Sequence, residues 1–340
     1  MCIRDRITGA LGYVGSHIAV LLSENPNFNL FLIDNFENSS TDTLKKIKFL
    51  CKSKINFFEM DIRNSLTISD FIKSKNIKTI IHCAGLKSVK NSELRPDEYE
   101  EVNVTGTYKL LNSFINSNNK KDELNFIFSS SACVYGKPVY LPYDELHPTN
   151  PFNNYGHNKV SIENMLNKKV RQTDNLKVVS LRYFNPVGAH DSYLIGDRPS
   201  GYAENLMPII NEMAKKKLSK LEIYGNDYNT PDGTAVRDYV HILDIAQGHL
   251  SALKYLFNCK KKSYEVFNLG SGRGISVLEL IDTFQRVNKV KIPYFFGKRR
   301  KGDLPEYFAD ISKAKKILNW SPKKNLDQMC LSSWKFENSF

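Results

Sequence analysis

The chain has 340 residues, of which 41% are hydrophobic and 25% are charged. This length and composition exclude a small single module and a disordered chain, and they predict one or two domains with an apolar core. No apolar stretch is long enough to cross a bilayer, and no apolar leader precedes the first motif. We therefore expect a cytoplasmic protein with no membrane partner.

The net charge of +12 arises from 48 basic and 36 acidic residues. Most of the cations are lysines in scattered short clusters, such as 45–46 and 260–262. Nucleic-acid recognition depends more on arginine geometry, so we expect no nucleic-acid partner. The six cysteines are far apart and form no Cys-x-x-Cys pair, which predicts free thiols and no metal site.

Short apolar runs alternate with helical patterns along the first half of the chain. Strands are predicted at 30–33, 55–58, 79–83, 126–128 and 178–181, with helices at 13–23, 97–116 and 155–170. This order is typical of an α/β fold with a doubly wound parallel sheet of Rossmann type, in which ligands bind beyond the carboxyl ends of the strands. We expect a first domain at 1–184 and a smaller α/β second domain at 185–340, with part of 235–270 returning to the first.

The first six residues, Met-Cys-Ile-Arg-Asp-Arg, are charged where the first strand should be apolar. The hexapeptide is what a transposase adapter of sequencing libraries would encode, so we expect that it replaces the native start. The alternative is a short charged segment at the edge of the sheet. A charge in a central strand would be costly unless it is paired.

A glycine-rich turn opens the first predicted helix. Gly9, Gly12 and Gly15 allow a tight turn and close approach of the backbone to a pyrophosphate at the helix N-terminus. Asp34 lies 19 residues beyond Gly15, at the end of the second predicted strand, where a carboxylate accepts hydrogen bonds from the adenosine ribose. The same charge would repel a 2′-phosphate and residues 35–37 offer no cation, so NAD is favoured over NADP.

A Tyr-x-x-x-Lys pair, Tyr155 and Lys159, lies at the start of a predicted helix. Residues four apart share a helix face, so both side chains can point at one ligand. A phenol needs about 4 kcal/mol of extra phenolate stabilisation to reach a pKa near 7. We expect the Lys159 ammonium and a positive nicotinamide ring to supply it.

These motifs resemble the extended short-chain dehydrogenase/reductase family and, within it, the UDP-glucose 4-epimerases. The resemblance covers almost the whole chain, although Leu11 is larger than the usual residue and the apolar first strand is missing. The segments that carry it are 12–17, 84–87, 129–136, 182–189, 205–208, 225–228, 236–239 and 302–305.

The resemblance implies the roles of the catalytic side chains. Tyr155 would take the proton of the sugar 4-hydroxyl while hydride passes from C4 to a tightly bound NAD. Ser131 would hydrogen-bond the same oxygen, and Lys159 would hold the nicotinamide ribose. The 4-keto sugar would then rotate and receive the hydride on its other face, so that UDP-galactose and UDP-glucose interconvert, as galactose metabolism requires.

The resemblance also implies two binding sets, which divide between the cofactor and the UDP-sugar. The cofactor set is Gly9, Gly12, Tyr13, Val14, Gly15, Asp34, Asn35, Asp61, Ile62, Ala84, Gly85, Lys87, Asn103, Ser129, Tyr155, Lys159 and Tyr183. The substrate set is Lys87, Ser131, Ala132, Cys133, Tyr155, Phe184, Asn185, Asn205, Leu206, Tyr224, Arg237, Arg300, Asp303 and Tyr307. A capping role explains Asp61 equally well, and turn positions explain the asparagines.

Several alternatives share this fold. Nucleotide-sugar dehydratases and decarboxylases need an acid or base directly after the serine, where this chain has Ala132 and Cys133. A UDP-N-acetylglucosamine 4-epimerase remains an alternative, although the bulk of Tyr307 predicts poor acceptance of N-acetylated sugars. A non-catalytic NAD-binding regulator would have no need of Tyr155 and Lys159.

A homodimer is expected from the resemblance. The helices at 97–116 and 155–170 would pack against their copies as a four-helix bundle.

Overall fold

The computed structural model describes residues 3–198, 203–215, 220–300 and 302–339, and helices follow strands through most of that part of the chain. The strands are β1 (Ile3–Thr8), β2 (Phe28–Asp34), β3 (Asn56–Glu59), β4 (Thr79–His82), β5 (Leu124–Ser131), β6 (Leu176–Tyr183), β7 (Asn185–Val187), β8 (Leu221–Tyr224), β9 (Val236–Arg237), β10 (Tyr239–His241), β11 (Ser263–Leu269), β12 (Ile275–Ser276), β13 (Tyr294–Gly297) and β14 (Glu306–Tyr307). The helices are α1 (Tyr13–Ser23), α2 (Thr41–Leu50), α3 (Ser65–Lys75), α4 (Val89–Leu94), α5 (Pro96–Tyr99), α6 (Gly106–Asn116), α7 (Asn154–Gln172), α8 (Leu206–Ala214), α9 (Ile242–Asn258), α10 (Val277–Asn288), α11 (Ser312–Leu318) and α12 (Leu326–Glu337).

A seven-stranded parallel sheet carries the fold, in the order β11-β6-β5-β4-β1-β2-β3 among the described residues. Consecutive residues in its inner strands are buried on opposite faces, as Ile80 and Ile81 are in β4. Helices cover both faces, which explains why the strands read as continuous apolar runs. The predicted α/β fold of Rossmann type is confirmed.

The glycine-rich turn lies where β1 passes into α1. Gly12 caps α1 without a side-chain hydrogen bond, so the main-chain N–H groups of the first helical turn have no side-chain cap. By contrast, Asn153 caps α7, because its side chain accepts a hydrogen bond from the Gly156 N–H over 2.8 Å. The first helix is thus left ready for an anionic ligand.

The single helix predicted at 97–116 is divided in the structure. Its first turn is α5, a π-helical stretch follows at Glu100–Thr105, and α6 completes it. The sequence pattern could not separate these segments, because a wider turn shifts the buried face only slightly from that of an α-helix. The π-helical stretch contains Asn103, a buried side chain of the site described below.

Most elements after residue 185 build a second layer of short sheets and helices, whereas α9 and α11 pack in the apolar cluster of the first sheet. β7 pairs with β10, β9 lies between β12 and β14, and β8 pairs with β13. A separate apolar cluster, centred on α8, α10 and α12, packs around them. β11 pairs in parallel with β6, so residues 263–269 belong to the first sheet.

The charged segment at the start of the chain lies inside the sheet from residue 3 onwards, while Met1 and Cys2 lie outside the described residues. β1 pairs with β2 on one side and β4 on the other, so the interpretation as an edge segment is wrong. Arg6 is fully buried, and its three guanidinium nitrogens have no hydrogen-bond partner among the described residues. Burial lowers the pKa of Arg6 to about 9. None of the described helices combines the length and apolar character needed to cross a membrane.

Candidate active site

Two glycines of the glycine-rich turn, Gly9 and Gly15, have no room for a side chain. Gly9 has φ +65°, and a Cβ on Gly15 would lie 2.1 Å from the carbonyl oxygen of Gly9. Any larger residue at Gly15 would therefore push α1 away from β1. This turn brings the backbone and the N-terminus of α1 to the carboxyl end of the sheet, as the motif predicts.

The Asp34 carboxylate is held at the end of β2 by hydrogen bonds. Leu11 N–H donates to Oδ2 over 2.9 Å, and Phe36 N–H and Ser39 Oγ donate to Oδ1 over 3.0 Å and 2.8 Å. Its direction is therefore set by both the glycine-rich turn and the loop after β2. Asp34 lines a cavity beside Gly9 and Gly12, where an adenosine ribose would need an acceptor.

Asp61 and Arg63 form an ion pair at the rim of this cavity. Arg63 Nη2 donates to Asp61 Oδ2 over 2.6 Å and Nε donates to Oδ1 over 2.9 Å. The hydrogen bond with Arg63 lowers the pKa of Asp61 to about 2. Asp61 also accepts from the Arg63 N–H and from Asn35, which makes it a turn-capping residue that lines the cavity. Its charge neutralises Arg63, a lining residue that the motifs did not indicate.

Residues that follow β3 and β4 complete the wall of the cavity. Of the predicted cofactor residues it contains Ile62, Ala84 and Gly85, in addition to those described above. The residues that sequence reasoning missed are Ile33, Glu37, Asn38, Ser39, Met60, Arg63, Cys83, Leu86 and Val102.

Asn103 and Lys87 contact neighbouring parts of the chain at the end of β4. Asn103 accepts a hydrogen bond from the Leu86 N–H over 2.7 Å and donates to the Leu86 carbonyl over 3.1 Å. Lys87 Nζ lies 3.0 Å from Asp197 Oδ1 and 5.8 Å from the centre of the Tyr13 ring. Asn103 thus shapes the loop, while Lys87 joins it to the second layer.

The predicted catalytic lysine is directed by a main-chain carbonyl. Lys159 Nζ donates to the Ser129 carbonyl over 2.8 Å and lies 5.4 Å from the centre of the Tyr155 ring. Burial lowers the pKa of Lys159 to about 8. The structure therefore brings the two members of the Tyr-x-x-x-Lys pair together on one face of α7, at the end of β5.

The predicted lowering of the phenol pKa is not produced by the chain itself. Burial raises the pKa of Tyr155, and a hydrogen bond with Ser131 opposes that effect. The prediction did not include the loss of water around the ring, which disfavours the phenolate. Ser131 is also the cap of the 3-10 turn Ala132–Val134, and its Oγ accepts from the Cys133 N–H over 3.2 Å.

Tyr183 supports the end of β5 through its hydroxyl. The hydroxyl lies 2.8 Å from Ser129 Oγ and 2.6 Å from His249 Nε2, and Ser129 Oγ donates to Cys83 Sγ over 3.1 Å. Burial lowers the pKa of His249 to about 4, so this histidine is neutral at physiological pH. The sequence did not indicate His249 or Cys83.

Tyr307 closes the space beside the 3-10 turn. Its hydroxyl donates to the Ala132 carbonyl, and its ring lies 5.5 Å from Phe184 and 4.7 Å from Tyr143 between ring centres. These contacts hold the aromatic side chain against the 3-10 turn that follows Ser131. The predicted sugar-facing residues Ala132, Phe184 and Tyr307 therefore lie together.

The sequence is similar to curated proteins along nearly its whole length. It is 42% identical to a UDP-glucose 4-epimerase of Dictyostelium discoideum, over 99% of this chain and 96% of that protein. It is 40% identical to a UDP-glucose 4-epimerase of Bacillus subtilis, over 98% and 96% of the two chains. The chain belongs to the UDP-glucose 4-epimerase family.

Solved structures of UDP-glucose 4-epimerases have the same fold. One from Stenotrophomonas maltophila, with bound NAD and formylated UDP-arabinopyranose, matches with a TM-score of 0.94 and 35% identity, over 99% of this chain and 98% of that one. One from Bifidobacterium longum, in complex with NAD+ and UDP, matches with a TM-score of 0.90 and 37% identity, over the same shares.

The family model that matches residues 7–332 is described as GDP-mannose 4,6 dehydratase. The two residues after Ser131 in this epimerase-family chain differ from those that dehydratase chemistry needs. Ala132 and Cys133, directly after Ser131, carry no carboxyl group for the second proton transfer that a dehydration needs. The match therefore reflects the shared extended fold.

The second layer of this epimerase-family fold carries the predicted nucleotide residues. Arg237 Nη2 lies 2.8 Å from Asp303 Oδ1, and Arg300 Nε lies 3.5 Å from Asp303 Oδ2. Arg300 also stacks on Tyr224, with its guanidinium carbon 4.4 Å from the ring centre. These four residues form one group, which we call the arginine cluster.

The predicted asparagines and Leu206 lie at element ends. Asn185 binds the Asp238 carbonyl through both its main-chain N–H and its side chain, over 2.9 Å and 3.0 Å. Asn205 caps α8 without a side-chain hydrogen bond, and Leu206 begins that helix. The Asn185 side chain is thus fixed by a hydrogen bond to the main chain, whereas the Asn205 side chain makes no hydrogen bond to the first turn of α8.

Proposed function

We propose that this chain interconverts UDP-galactose and UDP-glucose with NAD as a tightly bound cofactor. The observation that carries the proposal is the grouping of Ser131, Tyr155 and Lys159 at the carboxyl edge of the sheet that also presents the glycine-rich turn. Family membership supports the same reaction, since curated relatives of this length are UDP-glucose 4-epimerases.

The residues present fit NAD. The turn at Gly9 and Gly15 leaves no space for side chains, so the backbone can approach a diphosphate closely. Asp34 is directed into the cavity, and the one nearby cation among the described lining residues, Arg63, is neutralised by Asp61. A 2′-phosphate would therefore meet an anion, which favours NAD over NADP. Bound NAD would accept a hydride from C4 of the sugar and return it to the opposite face.

Tyr155 would hold and move the proton of the sugar 4-hydroxyl. Because burial raises the pKa of this phenol, a positive charge must stabilise the phenolate. Lys159 provides one such charge near the ring, and the oxidised nicotinamide would provide a second. Ser131 would donate a hydrogen bond to the sugar oxygen, since its hydroxyl lies at the same strand end.

Rotation of the 4-keto sugar requires that the nucleotide be held while the hexose is not. The arginine cluster provides two guanidinium groups that suit phosphate oxygens. Tyr224 would stack on the uracil and Asp303 would bind the uridine ribose. Two aromatic rings, Phe184 and Tyr307, lie together at the proposed sugar end, and they offer few fixed hydrogen bonds to the hexose.

We also propose that N-acetylated UDP-sugars are poor substrates. The Tyr307 ring is held against Tyr143 and Phe184, and this leaves it little freedom to make room for an acetamido group. A UDP-N-acetylglucosamine 4-epimerase is therefore not favoured.

The proposed setting is a cytoplasmic homodimer in galactose metabolism, with no nucleic-acid or membrane partner. Support for the dimer comes from exposed apolar side chains on and near the predicted bundle helices. Leu94 is 69% exposed, Tyr108 48% and Phe152 56%. Light scattering coupled to gel filtration would test the dimer, and a monomeric mass would contradict it.

The deciding experiment for the activity is incubation of the purified protein with UDP-galactose without added NAD. We expect UDP-glucose to form and bound NAD to be released when the protein is denatured. Conversion that consumes added coenzyme in equal amounts would overturn the proposal. So would a protein that binds no nicotinamide even after NAD is supplied.

A further inference from the structure

A buried ion pair lies behind the proposed catalytic side chains, where α7 packs on the sheet. Glu163 is one helical turn beyond Lys159 on α7. Arg182 on β6 donates to it twice, from Nε to Oε1 over 3.1 Å and from Nη2 to Oε2 over 2.6 Å. The Arg182 and Glu163 side chains are only 6% and 7% exposed. The proposed reaction does not use either residue.

The same carboxylate holds the end of β5. Ser130 is the register partner of Arg182 across β5 and β6, and its Oγ donates to Glu163 Oε1 over 2.6 Å. Ser130 lies between Ser129, whose carbonyl accepts from Lys159, and Ser131. Glu163 thus fixes the segment that contains Ser129 and Ser131. The Ser129 carbonyl contacts Lys159, and the Ser131 hydroxyl contacts Tyr155.

Glu163 is also the source of negative charge next to Lys159. The titratable groups around Lys159 are His82 and Cys83 at the end of β4, Cys133 in the 3-10 turn, Tyr155 and Glu163 on α7, and Arg182 on β6 behind Glu163. Burial lowers the pKa of His82 to about 3 and raises that of Cys83 to about 11, and it also raises the pKa of Cys133.

The imidazole and both thiols are therefore uncharged near neutral pH, and the phenol is neutral until it reacts. Among these described groups the carboxylate of Glu163 is the one anion that offsets the burial of the Lys159 ammonium. Its attraction for an ammonium one turn away acts through a water-poor interior, where charges interact more strongly than in water.

We propose that Glu163 is a positioning residue for the reaction: its carboxylate keeps the Lys159 ammonium charged and ties Ser130, and with it the Ser129 carbonyl and the Ser131 hydroxyl, to α7. This inference rests on the proposed roles of Ser131, Tyr155 and Lys159. A purely structural ion pair would stabilise the fold without affecting the protonation of Lys159.

The charge is tested with Glu163→Gln in the holoenzyme, by measuring kcat against pH. Loss of the negative charge favours the neutral amine, and the unpaired Arg182 adds to this effect. We expect the alkaline limb of the kcat profile to move to lower pH by about one unit. KM for UDP-galactose should stay within about twofold, because the hydrogen bonds of Glu163 go to Ser130 and Arg182, neither of which is a proposed substrate residue.

A second variant separates the effect of losing the Glu163 charge from the effect of leaving Arg182 unpaired. Glu163→Gln combined with Arg182→Gln removes both buried charges, and we expect the alkaline limb to return at least halfway to its wild-type position. Glu265→Gln on β11 is the matched control, because it also removes a carboxylate from the sheet, one that pairs with Lys313 over 2.8 Å. Its alkaline limb should stay in place.

Ser130→Ala tests the hydrogen bond between Ser130 and Glu163 separately from the negative charge of Glu163. It keeps the carboxylate but removes the hydrogen bond to β5, so kcat should fall by about two- to tenfold with no movement of the alkaline limb. An unchanged kcat in Ser130→Ala would overturn the proposal that Glu163 positions Ser129 and Ser131 through its hydrogen bond with Ser130.

An alkaline limb that stays in place in Glu163→Gln, in a wild-type background that interconverts the UDP-sugars, would overturn the charge effect. A wild-type protein with no such activity would instead overturn the proposed function. The two failures are therefore distinguishable.

Discussion

The guanidinium of Arg237 lies 2.8 Å from the carboxylate of Asp303, and both groups belong to the proposed nucleotide site. Arg237 also donates to the carbonyl oxygens of Val236 and Leu304, each over 2.8 Å. The chain therefore sets the direction of this cation before any ligand arrives. Such a preorganised guanidinium should bind a phosphate with little loss of side-chain entropy.

Replacement of Arg237 by Met should weaken the binding of UDP-sugars. The variant loses a charged hydrogen-bond donor and leaves the Asp303 carboxylate with only its longer contact to Arg300, 3.5 Å, beside the phosphates. We expect KM for UDP-galactose to rise about tenfold or more, with a smaller change in kcat, in steady-state assays. Arg299→Met is the control, because Arg299 is exposed, stacks on Tyr228 and pairs with Asp227. An equal rise in KM for the control would contradict the role of Arg237.

Tyr155→Phe should remove proton transfer and leave binding intact. The ring keeps its packing, but the oxygen that would take the proton is lost. We expect kcat to fall by about 100-fold or more, while NAD content and UDP affinity stay close to wild type. Turnover at the wild-type rate would exclude Tyr155 as the base.

Tyr307 should control which sugars enter. The wild-type protein is expected to turn over UDP-glucose much faster than UDP-N-acetylglucosamine, because the ring is held in place by Tyr143 and Phe184. Tyr307→Ala should narrow this ratio of kcat/KM values by opening space beside Ser131. Tyr307→Phe keeps the bulk and should keep the ratio. Similar wild-type activity on both sugars would refute the steric argument.

Arg6→Ile should stabilise the fold. The Arg6 guanidinium lies in the apolar core, 5.1 Å from the centre of the Phe71 ring and without a hydrogen-bond partner among the described residues. An unpaired buried charge costs several kcal/mol, so we expect Tm at pH 7 to rise by about 5 °C or more. Thermal unfolding followed by circular dichroism measures this.

The pH dependence of Arg6→Ile provides an internal check. The pKa of Arg6 is about 9 in the folded protein and 12.5 ordinarily, so above pH 9 the unfolded chain binds the extra proton. Stability then rises with pH relative to a chain without this group. The Tm advantage of Arg6→Ile should therefore be largest below pH 9 and should shrink at pH 10. Arg6→Lys keeps a buried cation and should show no such advantage.

Local motifs explain why much of the site was predictable. The spacing from Gly15 to Asp34 depends on one strand–helix–strand unit, and the pairing of Tyr155 with Lys159 depends on one helix. Both of these local arrangements are found in the structure. Arg63 was missed because its place at the cavity follows from the turn at Asp61, which no glycine pattern marks.

Contacts between residues that lie far apart in the chain could not be predicted from the sequence. The prediction that Tyr183 contacts the cofactor gives no sign that its hydroxyl binds Ser129 and lies beside His249, 66 residues further along the chain. Arg182 and Glu163 are charged residues that a sequence pattern places at the surface, and the structure buries them as a pair.

The sequence by itself determined the parallel sheet, the glycine-rich turn and the shared face of Tyr155 and Lys159 on α7, because each depends on residues close together in the chain. The tertiary structure alone decided which charges are neutralised. Asp303 meets Arg237, Glu163 meets Arg182, and Arg6 meets no anion among the described residues. These outcomes depend on which elements the sheet order brings side by side, and in a water-poor interior that neighbourhood determines the energy of every charge.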